Sequence, residues 1–319
     1  MPTYPDYKLK FYFSGTMGRE GDEEERIAKV LECRLCSCHG DYVRAAKNWA
    51  RLSSRKDTGV TKLMLDSGAF TAWSKGKKVE VEELIRTYSS VMELVDRDKV
   101  EVFLINLDVI PGSPGVTAGT DDILLAIDES DRNFDVLVKE FGNIVVPVYH
   151  QNESASRLTQ VLKMADYICA SPRNDLPEWT RVQWSEEVHK LLPEGKRTHG
   201  LATTGNNMLA RVPWWSVDSA AWLYSGAMGK VDVWHEGKWV SINVSQESPD
   251  VHNAGKHFDN TFAFIQEAIE ARAAFHDITI EQLRTDHMQR KLLNGLEIIE
   301  WLKGYSFKAP NHQEGLFDL

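Results

Sequence analysis

Four polar residues stand at the ends of short apolar runs. Asp66 follows Leu63-Met64-Leu65, Asp108 lies near the end of 100–110, His150 closes 144–150 and Asp218 closes 214–218. Taken singly, each reads as a helix cap or a surface group. Four of them in register at the same end of a set of strands read as a reactive bowl. A pair of aspartates there suits displacement at an anomeric carbon, one attacking C1′ and the other handling the proton of the departing group. A retaining displacement needs the two carboxyls only about 5–5.5 Å apart. Partial burial beside a second acid raises one pKa and makes that acid a proton donor. A third aspartate can accept hydrogen bonds from the N–H and NH2 edge of a purine-like base.

The elements that must position these groups follow from the chain's periodicity. Short apolar runs at 8–15, 34–39, 63–66, 100–110, 144–150, 167–171, 198–202 and 214–218 predict eight strands. Helices are expected at 41–52, 81–94, 121–141, 155–165, 184–192 and 206–212, with a glycine-rich acidic loop running into a short helix over 15–26. Strands alternating with helical segments predict a parallel sheet with right-handed crossovers, closed most simply as an α/β (β/α)8 TIM barrel. In such a barrel the carboxyl ends of the strands carry the chemistry. An open doubly wound sheet is the alternative, disfavoured because no G-x-G-x-x-G follows the first strand. No GK[ST] is present, so the early loop is not a P-loop.

Beyond Gly229 the pattern changes. Segments 231–234 and 239–244 flank a His-Glu-Gly-Lys turn and predict a β-hairpin. Two amphipathic helices are expected over 256–275 and 279–303, the second opening with Thr279 and Gln282 at capping-box spacing. The expected organisation is a catalytic barrel over 1–229 with 230–319 packed on it, ending in a loosely tied tail at 308–319. No internal repeat or low-complexity segment is seen.

The 319 residues are 42% hydrophobic and 26% charged, ordinary for a globular protein with a substantial core. No apolar run reaches the roughly 18 residues that cross a bilayer, and the opening MPTYPDYKLK has no signal-peptide run. No membrane partner is expected. The four cysteines, Cys33, Cys36, Cys38 and Cys169, do not form a disulfide framework, which suggests a reducing cytoplasm. Cys33, Cys36, Cys38 and His39 invite a zinc reading. Against it, Cys36 and Cys38 point to one side of a strand and Cys33 falls in the preceding helix or turn, so small buried thiols are the preferred account. The net charge of −10 argues only against broad phosphate binding, since local patches matter more than totals. Trp73 beside Lys75, Lys77 and Lys78 suits a backbone-and-base contact to nucleic acid, with a solvated loop as the alternative. Arg44, Lys47, Arg51, Arg55 and Lys56 form a second candidate phosphate patch, or an ordinary helix face. Trp214, Trp215 and Trp222 read as core and wall.

Asp66-Ser67-Gly68-Ala69-Phe70 resembles the D-S-G-G-F signature of the tRNA-guanine transglycosylases, the queuine and archaeosine enzymes. The resemblance runs in order over about residues 63–220. It implies Asp66 as acid/base group, Asp218 in Ser216-Val217-Asp218-Ser219 as nucleophile, and Asp108 in Asn106-Leu107-Asp108 as the reader of a 7-deazaguanine. It further implies a pocket lined by Ser67, Gly68 and Phe70, by His150 or Gln151, and by Gly200 and Leu201 of His199-Gly200-Leu201-Ala202. The family's tRNA enzymes carry a C-x-C-x2-C zinc site after the last strand. No cysteine follows Cys169 here, so that zinc module is absent. Ala69, the Trp-Trp-Ser-Val-Asp-Ser-Ala-Ala-Trp context and the compact length look more like the phage and bacterial DNA-guanine transglycosylases. The resemblance therefore implies exchange of guanine in DNA for a 7-deazaguanine such as preQ0, without cofactor or metal, in a cytoplasm (the host's, for a phage protein). A homodimer or a helper protein would fit. Exchange in tRNA, a glycoside hydrolase using Asp66 and Asp218, and a non-catalytic nucleobase-binding barrel are the alternatives.

Overall fold

The computed structural model describes residues 8–17, 21–113, 116 and 118–307. The expected tail at 308–319 and part of the 15–26 loop lie outside the described residues.

Nine strands form one parallel sheet: β1 (Lys10–Phe13), β2 (Cys33–Ser37), β3 (Lys62–Asp66), β4 (Glu101–Ile105), β5 (Val145–Val146), β6 (Val148–His150), β7 (Tyr167–Ser171), β8 (Arg197–Gly200) and β9 (Ser216–Ser219). Their order is β5-β4-β3-β2-β1-β9-β8-β7-β6. The two end strands are consecutive in the chain and separated only by Pro147, so the sheet curls into a nearly closed barrel. The sequence predicts one strand at 144–150. Proline has no N–H to give a ladder, and the strand is interrupted there. Val146 O still accepts from Asn106 N (2.9 Å) beside β4, while Pro147 O accepts from Cys169 N (2.8 Å) on β7.

Alternation along the strands sorts the core into two layers. Tyr12, Cys33, Leu35, Met64, Ile105, Val148 and Cys169 pack together inside the barrel. Phe11, Phe13, Cys36, Cys38, Leu63 and Leu65 belong to the larger cluster shared with the helices. Cys33 is thus the first residue of β2, not part of a preceding turn, and the three thiols do not converge. Among the described residues no group of three metal-ligating side chains occurs. No described helix is long and apolar enough to cross a membrane.

The flanking helices are α1 (Asp22–Ala28), α2 (Tyr42–Ser53), α3 (Ala69–Ser74), α4 (Val81–Met92), α5 (Thr120–Phe141), α6 (Ala155–Met164), α7 (Glu178–Lys190), α8 (Asn206–Arg211) and α9 (Ala221–Ala227). The elements differ from the periodicity in several places. α3 is too short for its period to register. α7 starts at Glu178, directly after Pro177, whose fixed φ suits a helix start. β4 stops at Ile105 because α5 side chains take over the next groups: Val109 N donates to Ser130 Oγ (2.8 Å) and Asn133 Nδ2 to Leu107 O (2.9 Å). Asp108 therefore sits on a loop just past the strand.

After α9 comes the hairpin of β10 (Lys230–His235) and β11 (Lys238–Asn243), then α10 (Ala263–Phe275), α11 (Ile280–Thr285) and α12 (His287–Gly304). The expected capping box is made: Gln282 N donates to Thr279 Oγ1 and Thr279 N to Gln282 Oε1. The single helix expected over 279–303 is two, because Asp286 leaves helical geometry and its carboxylate accepts from Met288 N (2.8 Å), capping α12. The helix expected from 256 begins at Ala263, after a turn region. α12 lies against α9 and α1. A Cβ on Gly295 would stand 2.4 Å from Ile27 Cδ1, so a glycine permits that approach. Glu297, fully buried, accepts from Arg272, His276 (2.6 Å) and Trp234 N (2.7 Å). Burial works against its ionised form, but these donors outweigh it and leave its pKa lowered.

Candidate active site

Asp66, Asp108, His150 and Asp218 line one cavity of about 550 Å³ at the carboxyl ends of the strands. Asp66 is the last residue of β3, and its Oδ2 accepts from Gly68 N at 3.2 Å. Burial, then the charges of Asp108 and Asp218, push its carboxyl up to about 7. A carboxylic acid in that range holds a proton at neutral pH and can also return as a base.

Asp108 Oδ2 lies 2.9 Å from His150 Nε2. Burial pulls the His150 imidazolium down, but the hydrogen bond and charge of Asp108, with Glu153 behind it, outweigh that and raise its pKa. The histidine thus donates to Asp108 and fixes one of its oxygens. Gln151 does not line the cavity. Its Oε1 accepts from Arg173 N (2.8 Å), tying down the loop after β7.

Asp218, on β9, is 8% exposed. Its Oδ1 accepts from Ala202 N at 2.8 Å. His199 Nε2 stands 3.4 Å from the same oxygen without hydrogen-bond geometry. Oδ2 makes no hydrogen bond among the described residues and is left to the cavity. Ala202 holds a left-handed φ of 51°, unusual for a non-glycine residue. Such strain persists where surrounding contacts over-determine it, and here it aims an N–H at a carboxylate. Behind Asp218 a buried polar chain runs through the barrel interior: Tyr167 Oη to Ser216 Oγ at 2.5 Å, and Ser216 Oγ to His199 Nδ1 at 2.8 Å. With Tyr167 donating to Ser216 and Ser216 to His199 Nδ1, the neutral imidazole carries its proton on Nε2, which lies near Asp218 but does not hydrogen-bond to it.

The other sequence candidates divide. Leu201 lines the cavity, and so does Phe70, whose ring is 59% exposed. Phe70 also borders a second cavity of about 600 Å³ that shares Ile110, His150 and Pro172 with the first. Trp73 lines that second space, 5.8 Å from the Phe70 ring, with its Nε1 donating to Gly112 O (2.9 Å). Ser67 is fully buried and lines neither cavity.

Gly68, with φ 76°, is not opened toward a flat ligand. A Cβ there would stand 2.2 Å from His39 Cβ, so the glycine lets α3 start against the β2–α2 turn. Gly200 is likewise closed off: a Cβ would meet Thr203 Oγ1 at 2.0 Å. Lys75, Lys77 and Lys78 line neither cavity, and Lys78 pairs with Glu129 at 2.7 Å. In the second candidate patch, Arg55 is neutralised by Asp57 (2.9 Å) and Glu25 (3.1 Å).

The resemblance placed the Ala202 backbone beside the base, and the structure puts its N–H on Asp218; sequence reasoning gave no site role to His199, Ser216 or Tyr167, nor to two cations that line the cavity, Arg34 and Lys291. The signals were a charged residue inside the apolar strand Arg34-Leu35-Cys36, and a lysine beside Leu292 and Leu293 on the apolar side of its helix.

Fold and site together define an α/β protein with a nearly closed parallel barrel-like sheet whose strand ends deliver three carboxylates and a histidine into one cavity. No family model matches the chain, and no curated protein matches it.

Proposed function

We propose that the protein is a base-exchange transglycosylase that replaces guanine in DNA with a 7-deazaguanine through a covalent aspartyl-sugar ester. The observation that carries this reading is the convergence of Asp66, Asp108 and Asp218 on one cavity, with Asp66 titrating near neutrality. Counting β5 and β6 as one strand interrupted at Pro147 gives eight strands, a count that supports the (β/α)8 barrel the reading expects.

In the first half-reaction the free Oδ2 of Asp218 attacks C1′ and the C1′–N9 bond breaks. Its electron pair leaves with guanine, which takes the proton of Asp66. The ester that remains keeps its carbonyl oxygen, Oδ1, on Ala202 N–H. In the second, the incoming base gives its N9 proton to the Asp66 carboxylate and attacks C1′, and Asp218 departs as carboxylate. One carboxyl thus serves as acid and then as base, which requires a pKa near the working pH. Asp108, with one oxygen fixed by His150, offers the other to the base edge. The target nucleotide must leave its helix to enter the cavity.

The test is incubation with guanine-containing DNA or tRNA and labelled guanine or preQ0. Label in DNA that is lost in Asp218→Ala supports the reading. Label in tRNA alone replaces the substrate. No label in either polymer, and no covalent adduct on gels, refutes it.

A further inference from the structure

The second cavity, of about 600 Å³, adjoins the first and has no part in the chemistry proposed for Asp66 and Asp218. Phe70, Ile110, His150 and Pro172 border both spaces, so the two meet where His150 holds Asp108. Phe70 and Trp73 stand three residues apart on α3, on one face of a single helical turn. Their rings lie 5.8 Å apart, with planes inclined at 36°. The Trp73 ring is held by its Nε1–H on Gly112 O (2.9 Å). Phe70 stays exposed, although burying it would stabilise the fold. One exposed ring alone carries no meaning. Two rings on the wall of a cavity that adjoins three aspartates form a surface that can cover a flat group.

The polar groups of this cavity narrow the occupant. Its one guanidinium, Arg173, is taken up by Asp175 through two hydrogen bonds of 3.0 and 2.5 Å. No other lysine or arginine lines the space, so it holds little attraction for a phosphate. Asn152 lines it too, and its side-chain amide makes no hydrogen bond among the described residues. An amide offers a donor and an acceptor together, which is what a base edge matches. Stacking faces with a free amide and no free cation suit a nucleobase and not its phosphate.

Extrusion of the target supplies such a base. When a nucleotide leaves its stack, its neighbour loses a stacking partner as well, and that loss is part of the cost of flipping. An aromatic ring laid on the abandoned face recovers some of it. Adjacent nucleotides are joined by one phosphodiester, and the adjacent cavities share Phe70 as a wall.

We infer that the second cavity is a stacking pocket for the nucleotide next to the target in the same strand, with Trp73 and Phe70 against its base and Asn152 at its edge. The pocket rests on the nucleic-acid substrate proposed above and adds to it a second point of recognition.

The experiment uses the full chain and the fluorescence anisotropy of labelled single-stranded DNA, five nucleotides long with one central guanine. One strand is intact, one lacks the base 5′ to the guanine and one lacks the base 3′ to it. Loss of one neighbour, and not of the other, is expected to weaken binding roughly 5- to 150-fold. Trp73→Ala should weaken the intact strand by a like factor and bring it level with the strand that lacks that neighbour. Trp73→Phe, which keeps a stacking face, should retain most of the difference. No binding of the intact strand, no loss at either neighbour, equal losses at both, or a neighbour dependence that survives Trp73→Ala overturns the inference. The label-exchange assay runs on the same strands. Neighbour dependence in a protein that transfers no labelled guanine keeps the pocket and ends the base-exchange reading. Exchange by a protein whose binding ignores both neighbours ends the pocket and keeps that reading.

Discussion

Replacing Asp66 by asparagine should stabilise the protein, and by an amount that depends on pH. The folded state holds the Asp66 proton with a pKa of about 7, against 3.8 for a free carboxyl. Unfolding therefore releases a proton between about pH 4 and 7, and stability falls as pH rises through that window. Linkage with those two values puts the cost of the carboxyl at about 2 kcal/mol at pH 5 and about 4 kcal/mol at pH 8, where it levels off. Asparagine carries no such cost and can still accept the Gly68 N–H. The stability difference between Asp66→Asn and the wild type should thus grow by roughly 2–3 kcal/mol from pH 5 to pH 8. Asp66 is partly open to the cavity, so water that enters screens the charge and makes this an upper limit. Urea titrations of both proteins at pH 5, 6, 7 and 8 measure the difference at constant m-value. A difference flat to within about 0.5 kcal/mol across that range would refute the claim that burial and the two neighbouring aspartates hold this carboxyl protonated.

Asp218→Asn should lower base exchange by about 10³-fold or more while leaving the denaturation midpoint close to wild type, because the amide oxygen still accepts from Ala202 N; full activity in the label assay removes Asp218 as nucleophile. Formation of the covalent adduct should fall as pH rises above about 7, as Asp66 loses the proton the departing base needs; adduct yield that is constant from pH 6 to 9 assigns the acid elsewhere. Gly68→Ala should cost at least about 1–3 kcal/mol from the left-handed backbone alone, with the contact to His39 in addition, so His39→Gly should recover part of the loss in thermal denaturation; no recovery places the strain in the backbone only. Glu297→Ala should cost about 3–5 kcal/mol, because it leaves Arg272 and His276 without their buried acceptor; a change below about 1 kcal/mol would show that the ring of donors re-pairs.

The strand ends were legible because a polar group closing an apolar run breaks a pattern that is local. Asp66, Asp108, His150 and Asp218 could be placed at one end of the sheet from spacing alone, and all four line the cavity. What resisted reading was set by partners distant in the chain. Gly68 and Gly200 look like ligand contacts in one dimension, and only packing shows that His39 and Thr203 fill the space a Cβ would take. Lys291 reaches the cavity because α12 folds back across α9, which no local period encodes. The break at Asp286 was invisible for a different reason: Leu283 and Leu292 are both fully buried, so the apolar face continues across the interruption. Proline at 147 was in view, but its effect depends on which neighbour each half of the strand joins.

That interruption bears on how the molecule behaves in a crowded solution. An open sheet ends in two rows of unpaired amides and carbonyls, and such edges recruit other chains. Here the two edges are β5, of two residues, and β6, of three, and each leads through Pro147 into the other. The ring is fastened by peptide bonds where a ladder is missing, like a belt sewn to its own buckle. Neither edge offers a run long enough to template a foreign strand, and the proline denies an N–H at the one place where the two could have been prised into a continuous edge.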